Sequence, residues 1–212
     1  MKITKYEHAC LVLEEQGKQL VIDPGELSNS FVVPENPVAL VITHIHGDHF
    51  DKTKIKAIVS KNPAIKIFTI EDVAKELFDL ENITTVSDKQ EEDADPFSLI
   101  FYGTNHAIVH ENAPRFKNTG VLVNNLFYYP GDSFTLPETP VQVLAVPTSG
   151  PWLKASESID FMLNIKPKLA FATHDALLSE NGAMFTNNWL TNFATQNSIE
   201  FQSIKLGQSF EV

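Results

Sequence analysis

Cysteine is nearly absent: Cys10 is the only one in 212 residues. A lone thiol excludes an intramolecular disulfide. Its place in the apolar segment HACLVL reads as a small buried hydrophobe rather than a nucleophile. That usage suits a reducing compartment. A chain of this length needs no covalent staples, because it can bury roughly 70% of the surface its unfolded form exposes. Long apolar runs are missing as well, and stretches such as VALVI fall far short of the ~20 residues that cross a bilayer. The opening segment, MKITKYEHACLVLEEQGKQLVIDPG, lacks the unbroken apolar core of a secretion signal and goes straight into strand-like alternation, so no signal peptide is expected. These features predict a soluble, cytoplasmic protein with no membrane partner. Positive charge is scarce too: 16 Lys and Arg stand against 27 Asp and Glu, a formal charge of −11. Such a surface repels phosphate backbones and argues against a nucleic-acid partner. A small anionic substrate stays admissible, since bound cations can invert the sign locally.

What is present is a succession of short apolar runs. CLVLEE, KQLVID and VALVIT read as strands, the last covered on both faces because it shows no polar alternation. DKTKIKAIVSK has helical spacing with Asp51 as N-cap. AIKIFTI reads as a strand, EDVAKELFDL as a helix and NITTVSD as an edge strand, while DKQEEDAD (88–95) reads as a solvated acidic connector. The second half is built in the same way, with PFSLIFYGTN, TGVLVNN, LFYYPGD and VQVLAVP as strands, SESIDFMLNI as a helix, KLAFATHD as a strand and AMFTNNWLTNFATQ as the last helix. In that helix Trp189 and Phe193, four apart, predict a core stripe. The tail IEFQSIKLGQSFEV alternates as two short strands. Strands then helix, stated twice, predict one α/β (α+β) domain over residues 1–212, with two β-rich layers and helices outside.

The densest chemistry is in VALVITHIHGDHF (38–50), which carries three of the chain's seven histidines and an aspartate within six positions. The cluster follows a buried strand and precedes a helix, and the carboxyl ends of strands in α/β sheets are where ligand crevices open. Residues two apart in extended backbone project the same way, so His44 and His46 can converge on one ion, with Asp48 and His49 displaced toward a second. Gly47 offers a sharp turn between the pairs. Crowded protonated rings repel one another, whereas neutral rings with free lone pairs seek a cation. The isolated His8 reads as an ordinary surface or satisfied core histidine.

HIHGDH resembles the His-x-His-x-Asp-His signature of the metallo-β-lactamase superfamily of metal-dependent hydrolases. Further pieces occur in that family's order: LVIDPG with Asp23, GTNHAIVH after a mid-chain strand, FYYPGDSF with Asp132, and AFATHD with His174. Within the superfamily, the block from NHAIVHENAPRF to ATHDALL looks like the branch related to L-ascorbate-6-phosphate lactonases. The resemblance implies a four-layer αββα sandwich and two divalent metal ions, with zinc the superfamily's default and manganese or iron admitted by imidazole and carboxylate donors. It implies that His44, His46 and a mid-chain histidine hold one ion, that Asp48, His49 and His174 hold the other, and that Asp132 bridges them. His106 is the expected mid-chain ligand because it directly follows its strand. His110, four residues on, is then either a substrate contact or proton donor, or a solvated loop residue. Asp23 is either an outer-shell acceptor for a ligand histidine or a plain Asp-Pro-Gly turn.

The implied chemistry is hydrolysis by a water held between two ions ~3.5–4 Å apart, which becomes hydroxide near neutral pH. Asp132 and Asp48 are the carboxylates expected to serve it, with His110 as a candidate acid. The expected substrate is a small lactone, ester or phosphate-containing molecule. Phosphodiester cleavage of RNA or a cyclic nucleotide, a non-catalytic metal-binding module and iron-based redox chemistry are the alternatives. No cysteine stands where antibiotic-degrading relatives commonly place a ligand, so antibiotic hydrolysis is not expected. Trp152, in PTSGPWLK, reads either as the rim of a pocket or as a ring pinning a loop. Arg115 and Lys117 are either anion contacts or solvated. A homo-oligomer is compatible with the sequence.

Overall fold

The computed structural model describes all 212 residues. The first half of the chain runs β1 (Lys2–Lys5), β2 (Leu11–Glu15), β3 (Lys18–Ile22), β4 (Pro37–Ile42), α1 (Lys52–Lys61), β5 (Lys66–Thr69), α2 (Glu71–Glu76) and β6 (Ile83–Thr85). The rest runs β7 (Glu91–Ala94), β8 (Phe97–Tyr102), β9 (Gly120–Val123), β10 (Phe127–Tyr129), β11 (Val143–Pro147), α3 (Ala155–Ile165), β12 (Leu169–Thr173), α4 (Glu180–Gln196), β13 (Glu200–Gln202) and β14 (Ser209–Glu211). Two seven-stranded mixed sheets form, ordered β14-β1-β2-β3-β4-β5-β6 and β13-β12-β11-β10-β9-β8-β7.

Period-two alternation inside fully apolar strands creates the layers. In β4, Ala39 and Val41 face the core between the sheets, while Leu40 and Ile42 face the opposite side with Ile55 and Ile58 of α1. On the far side of the second sheet, Leu144 and Val146 of β11 pack with Phe161 and Met162 of α3 and Leu190 of α4. Helix, sheet, sheet and helix therefore stack in the expected αββα order. Asp51 caps α1 as anticipated, its carboxylate accepting from the backbone N–H groups of Thr53 and Lys54.

Three local expectations need correction. The acidic connector is strand β7, paired antiparallel with β8 from Glu91↔Ile100 to Ala94↔Phe97. Its acids lie on an edge strand, where charge deters pairing with other chains, and Ala94 alone is buried. The stripe on α4 is core at one end only: Trp189 is 56% exposed, while Phe193 is partly buried against the cluster that holds Leu190 and Ala194. That helix is covered mainly through Leu190 and Ala194, and it starts earlier than its apolar pattern suggests, at a Ser179 cap. The predicted Glu71–Leu80 helix is helical only over Glu71–Glu76.

Candidate metal centre

The sequence HIHGDH forms the loop between β4 and α1, at the carboxyl end of a parallel strand. It meets the loop after β8 with His106, the turn after β10 with Asp132, and the residue after β12, His174. Two groups of ligand atoms converge there: those of His44, His46, His106 and Asp132, and those of His8, Asp48, His49 and His174, each within 4.8 Å. Most members are buried; Asp48 is 26% exposed and His46 half-buried, so the cluster opens toward solvent on their side.

The turn glycine that matters here is Gly25 rather than Gly47. A Cβ on Gly25 would overlap the backbone of Asp48 and His49, so the Asp-Pro-Gly turn can press against the histidine loop only as glycine. Asp23, at φ +45°, His8 at +61° and His174 at +56° all occupy the left-handed region. Non-glycine residues persist there when surrounding contacts over-determine them, a condition that gathers at functional sites.

The hydrogen bonds fix which nitrogen of each ring is free. Thr43 donates its N–H to Asp23 Oδ1 (2.8 Å) and its hydroxyl to Asp23 Oδ2 (2.6 Å). The Thr43 oxygen, 3.0 Å from His44 Nδ1, therefore accepts a proton from that ring and leaves His44 Nε2 bare. His49 donates from Nδ1 to Asp23 Oδ2 (2.7 Å), and His106 from Nδ1 to the carbonyl of Ala107 (2.6 Å). His174 donates from Nδ1 to the carbonyl of Ser149. Such outer-shell acceptors set the tautomer of metal-binding histidines.

The freed atoms face one another. Asp132 Oδ1 lies 3.1 Å from His49 Nε2, and Oδ2 lies 3.2 Å from His106 Nε2 and 3.1 Å from His174 Nε2. Asp48 Oδ2 is 3.3 Å from His174 Nε2, and His44 Nε2 is 3.1 Å from His46 Nδ1. Tetrahedral ligands around a zinc ion stand about 3.3 Å apart. Moreover, the buried side-chain atoms left without any hydrogen bond are His49 Nε2, His106 Nε2, Asp132 Oδ1, His174 Nε2 and the indole nitrogen of Trp152. Buried polar atoms are rarely left unpaired, and four of these five are lone-pair donors pointed into one space. The residues fit divalent metal.

Without metal, the electrostatics divide the rings. Burial works against charge on His49 and His174, but Asp132, with Asp23 beside the first and Asp48 beside the second, outweighs it. His49 is held well above the usual histidine range and His174 is raised to about 9. Burial pushes His44, His8 and His46 down, aided by neighbouring rings. Burial favours the neutral acid at Asp132 and Asp48, yet His49 and His174 beside the first, and hydrogen bonds from His174 and His8 to the second, hold both below the ordinary carboxylate range. The stability consequence has a definite sign. Raised His49 and His174 stabilise fully below pH 6.5, and His174's share is lost as pH rises through about 9. Depressed His44, His8 and His46 cost stability as pH falls below 6.5, and the carboxylates add to that loss below about pH 4. Chelator-treated protein is therefore expected to be most stable near pH 6.5. Urea denaturation at pH 5.5, 6.5 and 8.5 checks this, and equal stability at all three would contradict it.

Of the two mid-chain histidines, His106 joins the cluster. His110 lies exposed in the following loop, its Nδ1 accepting from the N–H of Asn112 (3.2 Å). Arg115 and Lys117 are exposed and tied to neighbours, the first to the Glu111 carbonyl and the second to the Asn105 side chain. Trp152 is buried, its ring 5.7 Å from those of both His106 and His174, and walls the cluster on that side. Two contributors carry no sequence signal. Asn118 accepts from Asp132 N–H and donates to the Pro130 carbonyl, which sets the turn presenting Asp132. His8, expected to be an ordinary histidine, is fully buried beside Asp48 and His174.

A sequence profile described as the beta-lactamase superfamily domain matches residues 2–174. Protein Rv0786c of Mycobacterium tuberculosis is 30% identical over 200 residues, covering 92% of this chain and 93% of that protein. A UPF0173 metal-dependent hydrolase of Ligilactobacillus salivarius is 41% identical over 58 residues, 26% of each chain. A solved metallo hydrolase of Ignicoccus hospitalis has a TM-score of 0.76 at 15% identity, over 100% of this chain and 98% of that one, a likeness of fold. These similarities reach the superfamily and not the lactonase branch. No helix is long and apolar enough to cross a membrane.

Proposed function

The chain belongs to the metallo-β-lactamase superfamily and is a metal-dependent hydrolase, and from that premise we propose that it holds two divalent ions and cleaves a small lactone, ester or phosphate-containing molecule. One observation carries the reading: Asp132 turns one oxygen to His49 and the other to His106 and His174, so a single carboxylate serves both ligand groups. His44, His46 and His106 would hold one ion, Asp48, His49 and His174 the other, with Asp132 shared. Imidazole and carboxylate donors suit zinc first, and manganese or iron as well. Two such ions would acidify a water and polarise the carbonyl or phosphoryl oxygen under attack.

The chain supplies the rest. Asp23, Thr43 and the carbonyls of Ala107 and Ser149 keep four imidazoles in one tautomer and one orientation. Asp48, the cluster's carboxylate at the opening, would help to hold the second ion and to orient a water there. Trp152 is buried against the cluster on one side, and the partly exposed Phe116 ring rests 4.4 Å from that of His46 at its edge. A groove of about 960 Å³ lies among continuations of the site: Glu7 precedes His8, Leu27 and Asn29 follow the Asp23 turn, and Asp175 and Ala176 follow His174. Its lining mixes apolar side chains and amides with the charged Lys5, Glu7, Asp175, Glu180 and Lys205, and the groove lies beside the ligand cluster without including any ligand residue. His110 stays outside the ligand cluster, in the exposed loop beyond His106, where it remains the candidate proton donor or substrate contact.

Elemental analysis of gently purified protein is expected to return close to two metal atoms per chain. His46→Ala should lose one of them, stay folded by circular dichroism, and hydrolyse lactone, aryl ester and aryl phosphodiester probes about a thousandfold more slowly than the parent. That loss corresponds to about 4 kcal/mol of transition-state stabilisation. Undiminished turnover in this variant would overturn the assignment.

A further inference from the structure

His8 stands outside every motif that carries the family resemblance, yet no residue of the chain is more tightly tied to the Asp48 half of the cluster. Its Nε2 lies 2.9 Å from Asp48 Oδ2, and its ring packs against that of His174 at a tilt of 45°, with centroids 3.8 Å apart. Its own carbonyl accepts from the N–H of His174 (2.8 Å). Its Nδ1 accepts from the N–H of Ala176 at 3.3 Å.

That last contact decides the chemistry. A nitrogen that accepts from a backbone N–H carries no proton, so the ring's single proton is on Nε2 and is donated to Asp48. His8 therefore has no lone pair to offer an ion, although it sits among groups that could hold one. Its donation occupies one lone pair of Asp48 Oδ2, while the same oxygen faces His174 Nε2 at 3.3 Å and His49 Nε2 at 3.8 Å. Asp48 is half-buried, and apart from the ligand rings His8 is the hydrogen-bond donor that fixes it.

The geometry points to His8 as the positioning residue for the second metal ion: it locks the Asp48 carboxylate by hydrogen bonding and the His174 ring and backbone by ring packing and main-chain contact. It touches neither His46 nor His106 and so acts on one ion only. The inference rests on the two-ion reading and adds a residue 36 positions before the histidine loop. Losing a hydrogen bond to a ligating side chain costs about 10–100-fold in metal affinity.

The test is equilibrium dialysis against zinc and against cobalt, with absorption of the cobalt form recorded ion by ion. His8→Phe keeps a ring to pack against His174 but cannot donate. It is expected to retain the first ion at parental affinity and to bind the second about 10–100-fold more weakly, with the cobalt bands of the second ion lost selectively. His8→Gln, whose amide can donate to Asp48, should recover most of that affinity. Parental affinity for both ions in His8→Phe, or equal weakening of both, would overturn the inference. Independently of any variant, imidazole ¹⁵N spectra of the parent should show the His8 proton on Nε2; a proton on Nδ1 would overturn it as well. A parent that binds no metal defeats the two-ion reading itself, and His8 falls with it, whereas a parent with two ions and an indifferent His8→Phe defeats this inference alone.

Discussion

Asp132→Asn is expected to lower hydrolysis by about a thousandfold and to leave the protein with at most one metal ion. The carboxylate is 2% exposed and meets imidazoles on both oxygens, at 3.1–3.2 Å. An amide keeps its size but presents one oxygen and one N–H₂ group. The nitrogen cannot ligate, and it places donor hydrogens against a ring whose lone pair is already aimed inward. Loss of one ion removes several kcal/mol of charge stabilisation, and each 1.4 kcal/mol is tenfold in rate. Steady-state rates and metal analysis on the same preparation check the result. A variant that keeps two ions and a tenth or more of the rate would mean that Asp132 does not join the two groups.

The second large effect is on stability. Asp23→Ala is expected to destabilise the chelator-treated protein by about 3–5 kcal/mol, the range for breaking a buried charged pair by removing one partner. Asp23 is fully buried and accepts three hydrogen bonds, from Thr43 N–H, Thr43 Oγ and His49 Nδ1, at 2.6–2.8 Å. Alanine leaves all three donors without an acceptor and also occupies a left-handed backbone position that Asp tolerates better. For a chain of this size the melting temperature should fall by about 10 °C. Metal affinity should fall about 10–100-fold besides, because His49 loses the contact that orients it. Urea denaturation separates the two readings of the Asp-Pro-Gly segment: a plain surface turn would cost less than about 1 kcal/mol.

Where the sequence was readable, the signal was local. HIHGDH places four ligand-type side chains in six consecutive positions, and its neighbours VALVIT and DKTKIKAIVSK read as a strand and a capped helix because periodicity and capping act over a few residues. DKQEEDAD misled for the complementary reason. Its charges describe an exposed face, while its strand conformation comes from pairing with β8 and the burial of Ala94. Trp189 and Phe193 have core spacing, but α4 buries Leu190 and Ala194, keeps Phe193 partly covered beside them and leaves Trp189 exposed.

The sequence by itself determined the layer order and the kinds of ligand available, since both follow from short-range patterns of apolar and donor residues. Only the tertiary structure brought His106 rather than His110 into the cluster, made Asp23 an acceptor for His49, placed Asn118 against Asp132 and brought His8 to Asp48. Each of those outcomes depends on which backbone carbonyl, N–H or carboxylate arrives next to a side chain. The partners that arrive are separated by 14 residues for Asn118 and Asp132, by 26 for Asp23 and His49, and by 40 for His8 and Asp48. At such separations no periodicity links the two residues, and the lateral order of strands within each sheet, β1-β2-β3-β4 in one and the β9–β10 pair in the other, brings them together.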